Sequence, residues 1–319
     1  MSEPTDCLPD IEQIRAAAAR IAPHARVTPV MRSDALDALS GAELHFKCEN
    51  LQRGGAFKFR GACNAVWALS EAQAAHGVVT HSSGNHGNAL ALAAATRGIA
   101  AHVVVPDGAV RAKLEAIERA GAILHRCAPT QAAREAKCAE VQRATGAELV
   151  HPYADTRVMA GQGTVALELL RQTPGLDALI TPVGGGGLVS GVAIAVHALD
   201  AAIDLFGAEP QGADDAAQSL ARGERVTDVV PDTLCDGLRA LIGVTNLEGL
   251  REHHVQVITV TDEETIAAMQ LIWSELKQVV EVSSATVLAA ILKQPARFAG
   301  RRVGVVITGG NVDLQALPW

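Results

Sequence analysis

The chain has 319 residues, enough for two folding units or for one large α/β unit with a smaller companion, which excludes a fibrous or wholly disordered protein. Hydrophobic residues make up 49% and aromatics only 3%, so Ala, Val, Leu and Ile must build the core, as they do where helices pack on buried parallel strands. Lys and Arg number 27 against 35 Asp and Glu, a net charge of −8 with no basic block, and this argues against nucleic acid as a partner.

In chain order, the opening MSEPTDCLPD has no basic segment followed by an apolar run, and it lacks the glycine that myristoylation requires. Strands are predicted over 77–80, 101–105 and 122–125, with helices over 87–96 and 109–120 between them. The most apolar stretch, 89–105, is interrupted by Arg97, so a soluble cytoplasmic protein is expected, with no membrane span. A second series runs through strands at 178–183, 204–208, 255–260 and 303–307, with helices from Leu188 and over 262–276. This rhythm predicts an α/β fold of two open, twisted parallel sheets joined by right-handed crossovers. Pro152 and the AGQG run at 160–163 punctuate it and place a boundary around 151–161. The expected division is a large domain of residues 1–76 and 153–319, and a small domain of residues 77–152. The six cysteines are scattered, without a CxxC pair, and read as ordinary reduced thiols.

Four segments carry chemistry. Gly184, Gly185, Gly186 and Gly187 stand between an apolar strand and an Ala/Val helix, where free backbone N–H groups and the helix N-terminus converge on a phosphate. A dinucleotide fingerprint fails on spacing, since Val189 or Ser190 falls where the last glycine should be, and no Walker lysine follows. A phosphate monoester is expected. Lys58, in GGAFKFRGA, sits between Phe57 and Phe59, and apolar surroundings make an amine nucleophilic toward a carbonyl; taken alone, the segment reads more readily as a surface lysine, and Lys58 stands out only in company with the other motifs. HSSGNHG at 81–87 opens a helix with hydroxyls, an amide and backbone donors that suit a carboxylate, although a plain N-cap has the same composition. The strand at 303–307 ends in Thr308, Gly309, Gly310 and Asn311, where ligands gather in open α/β sheets. No GxSxG register supports a hydrolase.

In this order, ENLQRGGAFKFRGA, HSSGNHG, AGQGT, VGGGGL, AEPQGADD and TGGNVDL resemble the fold type II pyridoxal-phosphate enzymes, in their serine racemase and serine/threonine dehydratase branch. The resemblance spans nearly the whole chain, from Lys47 to Asp313. It implies that Lys58 carries pyridoxal 5'-phosphate, with Phe57 beside it, Asn85 at the ring hydroxyl, the four glycines at the phosphate and Thr308 beside the pyridine nitrogen. It further implies that Ser83 is the acid/base on the face opposite Lys58, and that Ser82, Gly84 and His86 belong with it to the loop holding the substrate carboxylate. Glu209, Asp215 and the carbonyl of Ala213 match a divalent-metal site whose oxygen ligands suit Mg²⁺ or Ca²⁺. Arg134 matches an arginine associated with domain closure, and a homodimer is suggested.

Lys58 would then remove the α-proton of an amino acid, and loss of a β-hydroxyl would lead to a 2-oxo acid and ammonia; protonation through Ser83 would racemise instead. Ala240 and Leu241 stand where racemase relatives commonly carry small hydroxyl residues, and Tyr153, the only tyrosine, is expected near the same pocket, where it would stack on an aromatic substrate. An apolar wall there disfavours serine and admits a larger β-substituent. The expectation is a dehydratase (ammonia-lyase) acting on a threonine-like substrate or L-threo-3-phenylserine, the alternative being a serine or aspartate racemase. VSSA after Glu281 departs from the family's Glu-Pro-Ser pattern.

Overall fold

The structure, a computed structural model, describes residues 7–109 and 111–319; residues 1–6, read above for a leader, lie outside them. Ten strands form two sheets: β1 (Val30–Met31), β2 (Glu43–Cys48), β3 (Val78–His81), β4 (Ala101–Pro106), β5 (Ile123–Cys127), β6 (Glu148–Leu149), β7 (Ala178–Pro182), β8 (Asp204–Pro210), β9 (Gln256–Val260) and β10 (Arg302–Ile307). The larger sheet has the order β1-β2-β10-β7-β8-β9 and the smaller β5-β4-β3-β6. Every pairing is parallel except β1 with β2, so the expectation of purely parallel sheets fails at that one edge. A two-residue strand close before β2 can return beside it only in the opposite sense, because a parallel return needs a long crossover. All residues of β7 and five of the six in β10 are buried, as strands covered by helices on both faces require.

The helix expected over 262–276 divides into Asp262–Leu271 and a π-helical turn Ile272–Leu276, closed by Lys277 at φ 57°. The helix expected over 109–120 is Arg111–Arg119, residue 110 lying outside the described residues.

A larger correction concerns AGQG. These residues are no linker but the middle of a continuous helix, Thr156–Gln172. Their glycines serve close approach. A Cβ on Gly161 would stand 2.6 Å from Gly61 Cα, and one on Gly163 would stand 2.7 Å from the Gly191 carbonyl oxygen. Gly61 belongs to helix Lys58–Ala68 and Gly191 to helix Gly187–Leu199, so this glycine pair sets the separation of the helices that begin at the lysine and at the glycine run.

The lysine helix is also tied to the larger sheet by a buried ion network. Arg60, fully buried, donates to Glu49 at 2.7 and 2.8 Å and to Glu168 at 2.8 and 2.7 Å; Lys47, equally buried, donates to Glu168 at 2.7 Å. Charges removed from water in this way must be paired, and removing one partner would strand the others.

Candidate active site

The ends of β7 and β10 in the larger sheet and of β3 in the smaller converge on a cavity of about 540 Å³. Phe57, Lys58, Ser82, Ser83, Gly84, Asn85, His86, Arg134, Tyr153, the four glycines 184–187 and Thr308 all line it. Leu241 does not. Its neighbour Ala240 and the nearby Leu238 line the cavity in its place, as part of the run 236–240.

Lys58 opens its helix directly after a turn in which Gly54 and Gly55 have φ 72° and 75°. Phe57 N–H donates to the Thr308 carbonyl at 2.9 Å, which registers the lysine against the end of β10. Lys58 Nζ donates to the Pro152 carbonyl at 3.1 Å and lies 5.0 Å from the Phe57 ring centroid. Phe59 turns into the core beneath Arg53, so only one of the flanking aromatics stands by the amine. Burial pushes the Lys58 amine down to about 8 against the opposing charge of Glu281, leaving a sizeable neutral fraction near neutrality.

At the end of β7 the glycine run forms a cradle that side chains would fill. A Cβ on Gly185 would lie 2.4 Å from the Tyr153 ring, and one on Gly186, at φ 92°, would meet Ile242 Cδ1 at 2.4 Å. Asn246 Nδ2 and Gly243 N–H hold the Gly185 carbonyl at 2.8 and 3.1 Å, and the helix Gly187–Leu199 starts there with its N–H groups unsatisfied by side-chain caps. Such N–H groups at a helix start can receive an anion.

Across the cavity, Asn85 begins the helix Asn85–Arg97 and donates through Nδ2 to both oxygens of Glu281 at 2.9 and 3.1 Å, while its Oδ1 accepts from Asn311 at 2.8 Å. Burial, aided by the charge of Asp236, pushes Glu281 up to about 7. Nothing local in the sequence marks Glu281 as part of this cavity, since a carboxylate at a helix start looks like an ordinary cap.

On the side of Arg134, which projects from helix Gln131–Thr145, the polar groups are less well served. Arg134 Nε and His86 Nδ1 are buried without a hydrogen-bond partner among the described residues. His86 Nε2 reaches the Val150 carbonyl at 3.2 Å, and burial holds the ring well below its usual range, so it is neutral. His151 accepts the Ala154 N–H at 3.0 Å through Nδ1, falls to about 3 through burial, and meets the Tyr153 ring edge-on at 4.6 Å. Lys113 pairs with Asp236 at the cavity rim.

The candidate metal residues stand apart, at the end of β8. Glu209 accepts from the N–H groups of Ala216 and Ala217 at 3.1 and 2.9 Å, and Asp215 from Ile242 at 2.7 Å. Burial pushes them up to about 8 and about 6. Two buried carboxylates beside the buried turn of Ala213 offer oxygen donors only, which fits a hard divalent cation. Among the described residues no three His, Cys, Asp or Glu side chains gather closely enough to hold a metal.

A buried amine of depressed pKa, a glycine cradle at a helix N-terminus and a hydroxyl on one cavity fit an aldehyde that carries a phosphate. Comparison with known proteins agrees. The family model described as "Pyridoxal-phosphate dependent enzyme" matches residues 21–309, and the chain belongs to that family. It is 49% identical to a beta-hydroxyaspartate dehydratase of Paracoccus denitrificans, over 98% of this chain and 99% of that one. It is 47% identical to a serine racemase of Arabidopsis thaliana, over 97% and 95%. The solved structure of maize serine racemase superposes with a TM-score of 0.94 at 46% identity, covering 96% of this chain and 95% of that one. The protein is therefore a fold type II pyridoxal-phosphate enzyme. No helix of the described residues is long and apolar enough to cross a membrane.

Proposed function

We propose that this enzyme is a dehydratase (ammonia-lyase) that eliminates water from a β-hydroxy amino acid to give a 2-oxo acid and ammonia. Bound pyridoxal phosphate supplies the electron sink that makes the α-proton removable. Glycines 184–187 hold its phosphate, Lys58 attaches it, and Asn85, Phe57 and Thr308 line the ring. The N–H groups of the loop Ser82, Ser83, Gly84 and Asn85, with His86 behind them, receive the substrate's α-carboxylate. Lys58 takes the α-proton, and its lowered pKa suits that task. The hydroxyl on Cβ then departs as water, and the released enamine hydrolyses to the 2-oxo acid and ammonia. Ser83 stands ready as a second acid/base; a β-hydroxy substrate racemises only if Ser83 reprotonates it before the hydroxyl leaves.

The observation that carries the substrate class is Arg134, whose buried Nε has no partner among the described residues and which lines the cavity. Such a cation favours a second carboxylate on Cβ, as in 3-hydroxyaspartate, and the likeness to the Paracoccus dehydratase supports this. A second reading, a threonine-like substrate or L-threo-3-phenylserine, draws support from Tyr153, Leu238 and Ala240 on the same cavity. Glu209, Asp215 and the Ala213 carbonyl would hold Mg²⁺ or Ca²⁺. Through Asp215 to Ile242 and Gly243 to Gly185, that ion would steady the phosphate cradle. The two-part division at 77–152, a homodimer and a cytoplasmic setting complete the proposal.

The test is 2-oxo acid release by the purified protein with pyridoxal phosphate and Mg²⁺. Substrates are the 3-hydroxyaspartate diastereomers, L-threonine, L-threo-3-phenylserine and both serines. Fast release from 3-hydroxyaspartate supports the first reading, and release from phenylserine alone the second. Enantiomer exchange without 2-oxo acid overturns both in favour of a serine or aspartate racemase.

A further inference from the structure

The segment VSSA, which departs from the family pattern, supplies a hydroxyl behind the cavity wall. Ser284 is fully buried near the start of helix Val282–Lys293, and its Oγ lies 2.9 Å from Thr308 Oγ1. The same Oγ accepts the Gly309 N–H at 2.7 Å and reaches the Gly309 carbonyl oxygen at 2.8 Å. Each hydroxyl has one proton to donate, so these contacts admit two arrangements. In the first, Thr308 donates to Ser284 and Ser284 to the Gly309 carbonyl, so that Thr308 turns only lone pairs to the cavity. In the second, Ser284 donates to Thr308, the Gly309 carbonyl keeps the Glu281 N–H at 3.0 Å, and Thr308 has its own proton free for the cavity. Two O–H rotations interconvert them, with no movement of the backbone.

We propose that Ser284 is a positioning residue acting through Thr308, letting that hydroxyl meet the bound ring as donor or as acceptor to suit the protonation of the ring atom it faces. The inference rests on the reading that pyridoxal phosphate occupies this cavity. Without Ser284 the Thr308 proton has no acceptor in this hydroxyl pair, and Thr308 becomes a donor toward the cavity.

The experiment is a double-mutant cycle of Ser284→Ala and Thr308→Val on the holoenzyme, with two readouts. One is the affinity for pyridoxal phosphate; the other is the ¹⁵N resonance of the ring nitrogen in labelled cofactor. Ser284→Ala is expected to weaken binding by about fivefold, one net hydrogen bond, and to move the resonance. In the Thr308→Val background the same change is expected to alter affinity by less than about twofold and to leave the resonance in place. Equal effects in both backgrounds would overturn the relay, since that is what a loosened helix start produces. Ser284→Cys, with a weak S–H donor, keeps the side chain's shape and carries the same cycle if Ser284→Ala does not fold. If the unaltered protein binds no pyridoxal phosphate, the reading of the cavity falls and the relay with it. If it binds and the Ser284→Ala resonance is unmoved, only the relay falls.

Discussion

The two faces of the cavity differ in how far they are finished before a ligand arrives. On the cofactor face the groups hold one another: Asn85 bridges Glu281 and Asn311, Ser284 bridges Thr308 and Gly309, and Asn246 fastens the Gly185 carbonyl. On the substrate face Arg134 Nε and His86 Nδ1 are buried without partners among the described residues. A buried polar group left unpaired costs about 1–3 kcal/mol, so it persists where a ligand is to complete it. The side proposed for the cofactor is thus held by more of its own hydrogen bonds, although Asn246 Oδ1 there is also buried without a partner among the described residues, and the side proposed for the substrate is less fully paired, so the two should respond differently to mutation.

The largest effect is expected from Lys58→Ala, which should lower turnover by at least about 10³-fold and abolish the visible absorbance of covalently held cofactor. A yellow, active variant would break the assignment of the cofactor face. Next, Arg134→Leu should reduce kcat/KM for 3-hydroxyaspartate by about 100-fold, as loss of a buried charge partner does, while changing phenylserine by less than about threefold. The reverse pattern would hand the substrate face to the apolar reading of Tyr153. A smaller effect is set by pH. Attachment of the cofactor requires the neutral amine of Lys58, whose pKa is about 8, so the loading rate should rise with pH and level off above that value. At pH 7 it should be about a tenth of its plateau, whereas an amine at its ordinary value would still be rising at pH 9. Stopped-flow absorbance of the apoprotein mixed with pyridoxal phosphate reads this directly. The smallest effect concerns the candidate metal site. Mg²⁺ should raise the melting temperature by a few degrees, and Asp215→Ala should erase that shift while leaving cofactor binding measurable. An unchanged shift in the variant would place the ion elsewhere.

The alternation of β-branched and Ala-rich segments made the α/β class readable, since strand and helix periods are local properties of the chain. The glycine run and HSSGNHG were readable for the same reason, since each offers its own backbone at one strand-to-helix junction, whereas Lys58 stood out only in company with the other motifs. AGQG was misread because a glycine inside a helix and a glycine in a turn look alike in one dimension. Only the approach of Gly61 and Gly191 to that helix shows that these glycines admit neighbouring backbones. Glu281 and Ser284 escaped because their partners, Asn85 and Thr308, lie far away in sequence. Ala240 and Leu241 were read together as one wall, and only the folded chain separates them, Ala240 lining the cavity and Leu241 not. The sequence by itself determined the class of fold and singled out the residues proposed to receive a phosphate and an aldehyde, because those depend on local backbone and residue type. Only the tertiary structure decided which buried groups are paired and which are left open for a substrate, because pairing is a property of chains brought together across the sheet.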